Sequence, residues 1–209
     1  MLSYIWIGLT GGPGCGKSEV RKIFSQFPGW QCYDADQICH EIYSEPDSPF
    51  VQQLTDRWGS EIRAADGLPN RKKIAEKVFS DEKERQWLNS ILHPEIWLRL
   101  ENQPGLLEAK FVLVEASLLF EAQWNLRMEK TIAVWTSPDI QMARLLTRGW
   151  TKAHANKRMQ TQLSAQKKLE LADYGIINLG SRENLQEQCR RIDSEIRHYS
   201  LSSIKNIRS

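Results

Sequence analysis

The segment from Gly11 to Ser18 constrains this chain more than any other part of the sequence. It reads Gly-Gly-Pro-Gly-Cys-Gly-Lys-Ser and matches the pattern G-x-x-x-x-G-K-[ST]. A β-rich run over residues 3–10 precedes it, and a helical pattern over residues 17–27 follows it. The glycines let backbone N–H groups turn inward around a phosphate, and the helix N-terminus adds its dipole. The sequence therefore predicts a strand–loop–helix unit that binds a nucleoside triphosphate.

The side chains of this loop have separate predicted roles. Lys17 offers a charge to the β- and γ-phosphates, and the Ser18 hydroxyl is a ligand for Mg²⁺. Cys15 is expected to act through its backbone rather than its thiol. The predicted nucleotide-binding residues are Gly12, Pro13, Gly14, Cys15, Gly16, Lys17 and Ser18. The alternative is a glycine-rich turn with a solvent-exposed lysine.

Four further β-rich runs alternate with helical patterns. They cover residues 31–33, 111–114, 131–135 and 174–178. Residues 111–114 lack polar alternation, which is typical of a strand buried on both faces. Strands separated by helices predict a parallel α/β sheet. Helical spacing dominates residues 50–101, which form an insert between the second and third strands.

Three helical segments are predicted in the second half of the chain. Ser137-Pro138 opens the first, because serine is a favoured N-cap and proline suits the first helical position. A polar helical pattern then covers residues 151–171, and an amphipathic one covers residues 182–199.

The composition excludes several classes of protein. The 209 residues are 41% hydrophobic and 26% charged, as in an ordinary globular domain. No apolar run approaches the roughly 18 residues of a membrane span, and the N-terminus lacks the basic region of a signal peptide. The cysteines, none in C-x-x-C spacing, are expected to be reduced thiols of a cytoplasmic protein. They are Cys15, Cys32, Cys39 and Cys189.

A basic block follows the fourth predicted strand. Between residues 144 and 168 there is no Asp or Glu. Its basic residues are Arg144, Arg148, Lys152, Lys157, Arg158, Lys167 and Lys168. The block is either a solvated helix face or a region that binds anions.

The motifs favour one class of nucleotide-binding protein. The N-K-x-D motif of switch GTPases is absent, and Asp56-Arg-Trp-Gly59, which matches D-x-x-G, lies in the helical insert, where we expect it to close a helix. Motors and translocases are usually larger. Small size and a basic helical block favour a P-loop kinase, whose lid places arginines over the transferring phosphate.

Two carboxylates stand at predicted strand ends. A kinase needs one acid near the acceptor hydroxyl and usually another near Mg²⁺. Asp34 follows the second strand and is either this acid or the N-cap of the next helix. Glu115 follows the third strand and either binds a Mg²⁺-bound water or only tunes the potential of the loop. Asp36 is interpreted as a first-turn acid favoured by the helix dipole.

A larger set of motifs extends the pattern. It comprises residues 7–18, Asp34-Ala-Asp36, Asp66-Gly67, Arg71, Val78-Phe79, Leu92-His93-Pro94, Leu118-Leu-Phe-Glu121, Arg144, Arg148, Arg158, Gln162, Ala172-Asp173 and Asn178. In order and approximate spacing, this set resembles the dephospho-CoA kinase family. The loop is generic to P-loop proteins, whereas Asp-Ala-Asp with His-Pro and Leu-Leu-Phe-Glu is more specific.

The resemblance implies an activity and an architecture. The activity is transfer of the ATP γ-phosphate, with Mg²⁺, to the ribose 3′-hydroxyl of dephospho-CoA, the last step of CoA synthesis. The architecture is a three-layer P-loop fold with a five-stranded parallel core over about residues 1–40, 106–143 and 173–200. A CoA-binding helical insert covers about residues 41–105, and a lid about 144–172. We expect a monomer with a small-molecule substrate and neither nucleic acid nor membrane as partner.

The resemblance also implies roles for single residues. Asp34 matches the family's general base. Arg144 and Arg148 fall in its phosphate and lid region, and Asn178 lies where the adenine is approached. The implied acceptor-binding residues are Asp34, Arg71, His93 and Leu118. On their own, Arg71 could equally be a surface residue, and His93 could cap a helix or fill a turn.

Some positions depart from the family pattern. Ser117 stands where the family usually has proline, which would fix φ in the turn lining the acceptor pocket. Gly149-Trp150 replaces polar residues, and the stretch to Gln162 is one residue shorter. Two alternatives remain open: another nucleoside or nucleotide kinase, and a nucleotide-dependent binding protein that contacts nucleic acid through the basic block.

Overall fold

A parallel sheet organises the larger part of the molecule. The computed structural model describes residues 4–79, 81–103 and 109–207. The strands are β1 (Ile5–Gly11), β2 (Trp30–Asp34), β3 (Phe111–Glu115), β4 (Lys130–Trp135) and β5 (Tyr174–Ile177). They form one parallel sheet in the order β2-β3-β1-β4-β5. The predicted five-stranded parallel α/β fold is confirmed.

Helices connect the strands. In the part of the chain that the structure describes, they are α1 (Lys17–Phe24), α2 (Ala35–Ile42), α3 (Pro49–Trp58), α4 (Arg71–Phe79), α5 (Glu82–Glu101), α6 (Pro138–Thr147), α7 (Lys152–Gln160), α8 (Ala165–Leu171) and α9 (Arg182–Ile207). The chain divides into two units. The first holds the sheet with α1 and α6–α9, and the second holds α2–α5.

The core of the first unit is built on β3. Residues Phe111 to Val114 have no exposed surface, so this strand is buried on both faces as predicted. Trp30 of β2 stacks on Phe111 with ring centroids 5.0 Å apart, and Phe24 of α1 lies 4.6 Å from Trp30. The Trp30 indole N–H donates to Asp193 of α9 across 2.7 Å, which satisfies its polar edge. Burying each of these aromatic side chains contributes about 2 kcal/mol.

Capping side chains set several helix boundaries. The Ser137 hydroxyl accepts from the backbone N–H of Ile140, so the predicted start of α6 is confirmed. The helical pattern predicted over residues 151–171 is two helices. Thr151 caps α7, and Ser164 caps α8 by accepting from the N–H of Lys167 at 3.0 Å. Because Ser164 supplies a second N-cap within this polar stretch, a new helix, α8, begins after it.

Two helix ends differ from the prediction. Helix α1 ends at Phe24 rather than at residue 27, because the N–H groups of Gln26 and Phe27 bond to the carbonyls three residues back, of Ile23 and Phe24, instead of continuing the helical pattern. Helix α9 continues to Ile207, beyond the predicted end at residue 199.

The second unit is helical, as predicted for the insert. Helix α3 ends at Trp58 with Gly59 as its C-cap, so the D-x-x-G match does close a helix. Arg57 donates two 2.8 Å hydrogen bonds to Glu84 of α5. Helix α5 runs through His93-Pro94. His93 therefore neither caps a helix nor fills a turn. No helix in the described ranges is long and apolar enough to span a bilayer.

Candidate active site

The loop between β1 and α1 has the predicted strand–loop–helix arrangement. Strand β1 ends at Gly11 and α1 begins at Lys17, with Gly16 as its N-cap at φ +102°. A Cβ at Gly16 would overlap the side-chain amide of Asn178. Both the backbone conformation and the close approach therefore require glycine. The first N–H groups of α1 lack helical partners and are suited to an anion at the loop.

Lys17 reaches back over this loop. Its Nζ donates to the carbonyl oxygen of Gly11 at 3.0 Å and to that of Gly12 at 3.4 Å. The ammonium is therefore fixed beside the loop, where it can balance phosphate charge.

The carboxylates of Asp34 and Glu115 lie side by side at the carboxyl edge of the sheet. Asp34 ends β2, Glu115 ends β3, and the two residues are paired in the strand register. Arg21 of α1 contacts both: its Nε lies 2.7 Å from Glu115 Oε2, and its Nη2 lies 3.4 Å from Asp34 Oδ2. The Asp34 side chain keeps 25% of its surface exposed, whereas Glu115 keeps 6%. Asp34 is thus the carboxylate open to an incoming substrate.

Ser18 joins Glu115 to the loop. Its hydroxyl donates to Glu115 Oε1 across 3.0 Å. Hydroxyl and carboxylate oxygens are the hard donors that Mg²⁺ prefers, and Mg²⁺ commonly takes its other ligands from water and phosphate. No cluster of three or more His, Cys, Asp or Glu among the described residues could hold a metal ion. The Ser18–Glu115 pair offers two such oxygens beside the loop.

Arg144 and Asn178 hold the other side of the loop. The Asn178 amide donates to the Cys15 carbonyl at 2.8 Å. Arg144 Nη1 lies 3.3 Å from the Gly14 carbonyl and 3.4 Å from that of Cys15, and its Nη2 lies 3.4 Å from the Asn178 carbonyl. These weak contacts leave the guanidinium beside the loop with capacity to bind an anion.

A cavity of about 310 Å³ opens next to these two residues. Its lining includes Gly16, Arg144, Arg148, Asn178 and Arg182. Arg148 is the C-cap of α6, one turn beyond Arg144, so both face the same space. The lining also includes Glu19, which pairs with Arg182 at 3.2 Å, so the three arginines leave a net positive charge that suits an anionic ligand.

The segment after β3 carries Leu118, which is 40% exposed. Glu121 of the same segment accepts from the N–H of Leu163, between α7 and α8, at 2.8 Å. Glu121 Oε1 also lies 3.1 Å from Nζ of Lys168, whose side chain is fully buried. The ammonium of Lys168 donates as well to the Ser117 carbonyl. This contact uses the backbone carbonyl of Ser117, so it does not depend on which side chain stands at position 117.

The Cys15 side chain is fully buried within the loop. Burial raises the pKa of its thiol, and the charge of Lys17 only partly offsets that effect. A protonated, inaccessible thiol is unsuited to nucleophilic chemistry.

Arg71 and His93 belong to the second unit. Arg71 donates from Nη2 to His40 Nδ1 at 2.6 Å and lies over the ring of Tyr43, 5.0 Å from its centroid. His93 lies in the interior of α5. The acceptor-binding roles of both residues remain predictions.

Sequence reasoning missed two residues of this region. Arg21 is three residues beyond Ser18, so the sequence already puts a cation on the same helix face as the predicted Mg²⁺ ligand. Lys168 was counted only as one member of the basic block. Its burial leaves no sequence signal, because its neighbours Lys167 and Leu169 follow an ordinary amphipathic pattern.

The fold and the site together define a class. This protein is a P-loop kinase. Its phosphate loop follows β1, carboxylates end two neighbouring strands, and arginines lie on the helix after β4.

Comparison with known proteins identifies the family. The family model for dephospho-CoA kinase matches residues 5–184. The chain is 36% identical over 180 residues to dephospho-CoA kinase of Yersinia pseudotuberculosis, with 86% of each protein covered. The chain belongs to the dephospho-CoA kinase family.

Solved structures agree with this assignment. A dephospho-CoA kinase from Campylobacter jejuni superposes with a TM-score of 0.60 at 25% identity, covering 91% of this chain and 96% of the other. The crystal structure of TT1252 from Thermus thermophilus gives a TM-score of 0.79 at 28% identity, covering 92% and 97%.

Proposed function

We propose that this protein transfers the γ-phosphoryl group of ATP to the ribose 3′-hydroxyl of dephospho-CoA, giving CoA and ADP. The observation that carries the proposal is the position of Arg21. Arg21 lies on the helix that starts at the phosphate loop, and its side chain contacts both Glu115 and Asp34. A nucleotide-binding element and two candidate catalytic carboxylates are thereby fixed to one another.

Binding of the triphosphate falls to the loop. Backbone N–H groups of residues 14–18 would bind the phosphates, since Pro13 has no N–H, and Lys17 supplies a charge beside them. Asn178 and Arg144 support the loop from the adenine side, next to the 310 Å³ cavity. Ser18 and Glu115 would hold Mg²⁺, which when bound neutralises charge on the phosphates.

Asp34 is the group proposed to act on the acceptor. Its carboxylate accepts, or orients, the proton of the 3′-hydroxyl as that oxygen attacks the γ-phosphorus. Arg21 contacts it at 3.4 Å and orients it without enclosing it. Arg144 and Arg148 are proposed to stabilise the charge on the transferring group.

The remaining assignments are proposals that rest on the family. Residues 41–105 bind the CoA moiety, with Arg71 and His93 as contacts, and residues 144–172 form a lid. Leu118 lines the acceptor pocket. We propose a monomer in the cytoplasm. Its four cysteines are unpaired, which suits a reducing compartment.

One assay tests the activity. Release of ADP is followed with ATP and Mg²⁺ and, in turn, dephospho-CoA, adenosine, AMP, CMP or dTMP as acceptor. We expect turnover with dephospho-CoA and very little with the others. Comparable turnover with a nucleoside monophosphate would reject the acceptor and leave the kinase class in place.

A further inference from the structure

Lys168 is a fully buried lysine in a helix of otherwise ordinary surface pattern. Its side chain has no exposed surface, whereas that of the preceding Lys167 is 53% exposed. Transfer of an ammonium group out of water costs several kcal/mol unless partners compensate for it. Such a residue needs a reason beyond solubility.

The partners of Lys168 lie in two different segments. Its Nζ contacts the Ser117 carbonyl and Glu121 Oε1, both in the segment that follows β3. The same Glu121 oxygen accepts the N–H of Leu163, in the connection between α7 and α8. The Lys168 ammonium and the Glu121 carboxylate thus link the segment of residues 117–121 to α8 and to the connection between α7 and α8.

Both ends of this junction reach the candidate active site. Ser117 is two residues beyond Glu115, and the intervening Ala116 N–H is bonded to Leu9 of β1 at 2.9 Å. The other end is the start of α8, where Ala165 lies beside the phosphate loop: a Cβ placed on Gly12 would be 3.5 Å from the Cβ of Ala165. Burial lowers the pKa of Lys168, and the charge and hydrogen bond of Glu121 act against that effect.

We propose that Lys168 is a positioning residue for phosphoryl transfer. Its buried charge holds residues 117–121, and the start of α8, in the arrangement that the transfer step requires. This inference rests on the proposed function, because the transfer step is what it is said to support.

The energetics of buried ion pairs favour this role over simple stabilisation. Replacing both members of a buried ion pair by apolar side chains is often neutral or stabilising, whereas removing one member is destabilising when it leaves the other charge buried and unpaired. Glu121 keeps 22% of its side chain exposed and keeps the Leu163 N–H, so it tolerates the loss of Lys168. Lys168→Met should therefore fold, whereas a 1 Å displacement near a reacting centre can lower the rate by about 10²-fold.

The test compares Lys168→Met with Lys167→Met, a matched change one residue away on the exposed face. Melting temperature, Kd for ATP, KM for dephospho-CoA and kcat are measured for each. We expect kcat of the folded Lys168→Met protein to fall by about 10-fold or more at a temperature well below its melting temperature, with Kd for ATP nearly unchanged. Lys167→Met should stay within about twofold of the wild type, because its partner Glu170 is exposed.

Two further variants separate charge from fold. Lys168→Arg keeps the charge and should recover part of kcat. Glu121→Gln keeps an acceptor for Leu163, removes the ion pair, and should lower kcat in the same direction even if Lys168→Met does not fold. An unchanged kcat in folded Lys168→Met or in Glu121→Gln would overturn the proposal.

The proposed function and this inference are tested by different measurements. Wild-type turnover with dephospho-CoA tests that function, whereas the ratio of Lys168→Met to Lys167→Met tests the inference. If the wild type prefers another acceptor of the panel, the same ratio is measured with that acceptor.

Discussion

Arg21 and Asp34 form an ion pair, with 3.4 Å between Nη2 and Oδ2, while the same guanidinium holds Glu115 more tightly at 2.7 Å. The shorter contact goes to the carboxylate with little exposed surface, and the longer one to the carboxylate that faces solvent. Of the two acids, Asp34 is the more exposed and therefore the more accessible to a substrate hydroxyl. This asymmetry separates the roles of two neighbouring carboxylates.

The first prediction concerns Asp34. Asp34→Asn keeps the size and the capacity to cap a helix, but it removes the basicity. We expect kcat to fall by about 10²–10⁴-fold, with Kd for ATP and melting temperature nearly unchanged. A loss near the lower end would favour positioning over proton removal, because phosphoryl transfer can proceed through a loose transition state. The control is Asp36→Asn, and Asp34→Asn activity within threefold of wild type would remove Asp34 from the mechanism.

The second prediction separates the two arginines. Arg144 contacts loop carbonyls, whereas the side chain of Arg148 makes no hydrogen bond or ion pair with the residues that the structure describes, and only its backbone N–H is bonded within α6. Arg148→Ala should therefore lower kcat at an unchanged melting temperature, and Arg144→Ala should lower both kcat and ATP affinity. If both hold the same phosphate, the double variant loses less than the product of the single effects. Small, independent effects would favour the solvated helix face.

The third prediction concerns Glu115. Glu115→Gln keeps the size and one acceptor oxygen, so it can accept from Ser18 or from Arg21 but not from both, and it removes the charge. If the carboxylate helps to hold Mg²⁺, the Mg²⁺ concentration that gives half-maximal velocity should rise by about 10-fold or more, as for other residues that support a metal site. Glu19→Gln on the same helix as Ser18 is the control. An unchanged Mg²⁺ requirement with a lower kcat would restrict Glu115 to orienting Arg21.

The fourth prediction concerns Cys15 and pH. Its pKa is raised, so the thiolate is scarce at neutral pH and becomes appreciable only above the ordinary value of 9.0. Alkylation of Cys15 by iodoacetamide in the folded protein should be slow through pH 9 and should accelerate at higher pH, as followed by mass spectrometry. Cys15→Ala should keep most of the activity. Rapid modification at pH 7 would show that the loop opens or that the thiol is activated.

The sequence predicts the elements of this fold better than the contacts between them. The strands, the loop and the Ser137 cap depend on local patterns, and the structure confirms them. The bridge made by Arg21 depends on the pairing of β2 with β3, which no local pattern specifies. Lys168 is buried by tertiary contacts, although the composition of its segment is typical of a solvent-exposed surface. Ser164 shows the same limit, because a serine between two polar helical runs caps a helix only if the chain turns before it.

The pairing of Asp34 with Glu115 also limits where residues can be inserted into this chain or deleted from it. Side chains alternate between the two faces of a strand, so one inserted or deleted residue inside β2 would turn Asp34 away from Arg21. The turn at Pro28 and Gly29 is held as well, because their carbonyls accept from Arg197 and from the N–H groups of Lys110 and Phe111, so the exposed Ser25 and Gln26 are the better place for such a change. We therefore expect natural and engineered length variants of this enzyme to carry their insertions before Trp30 and never between Trp30 and Asp34.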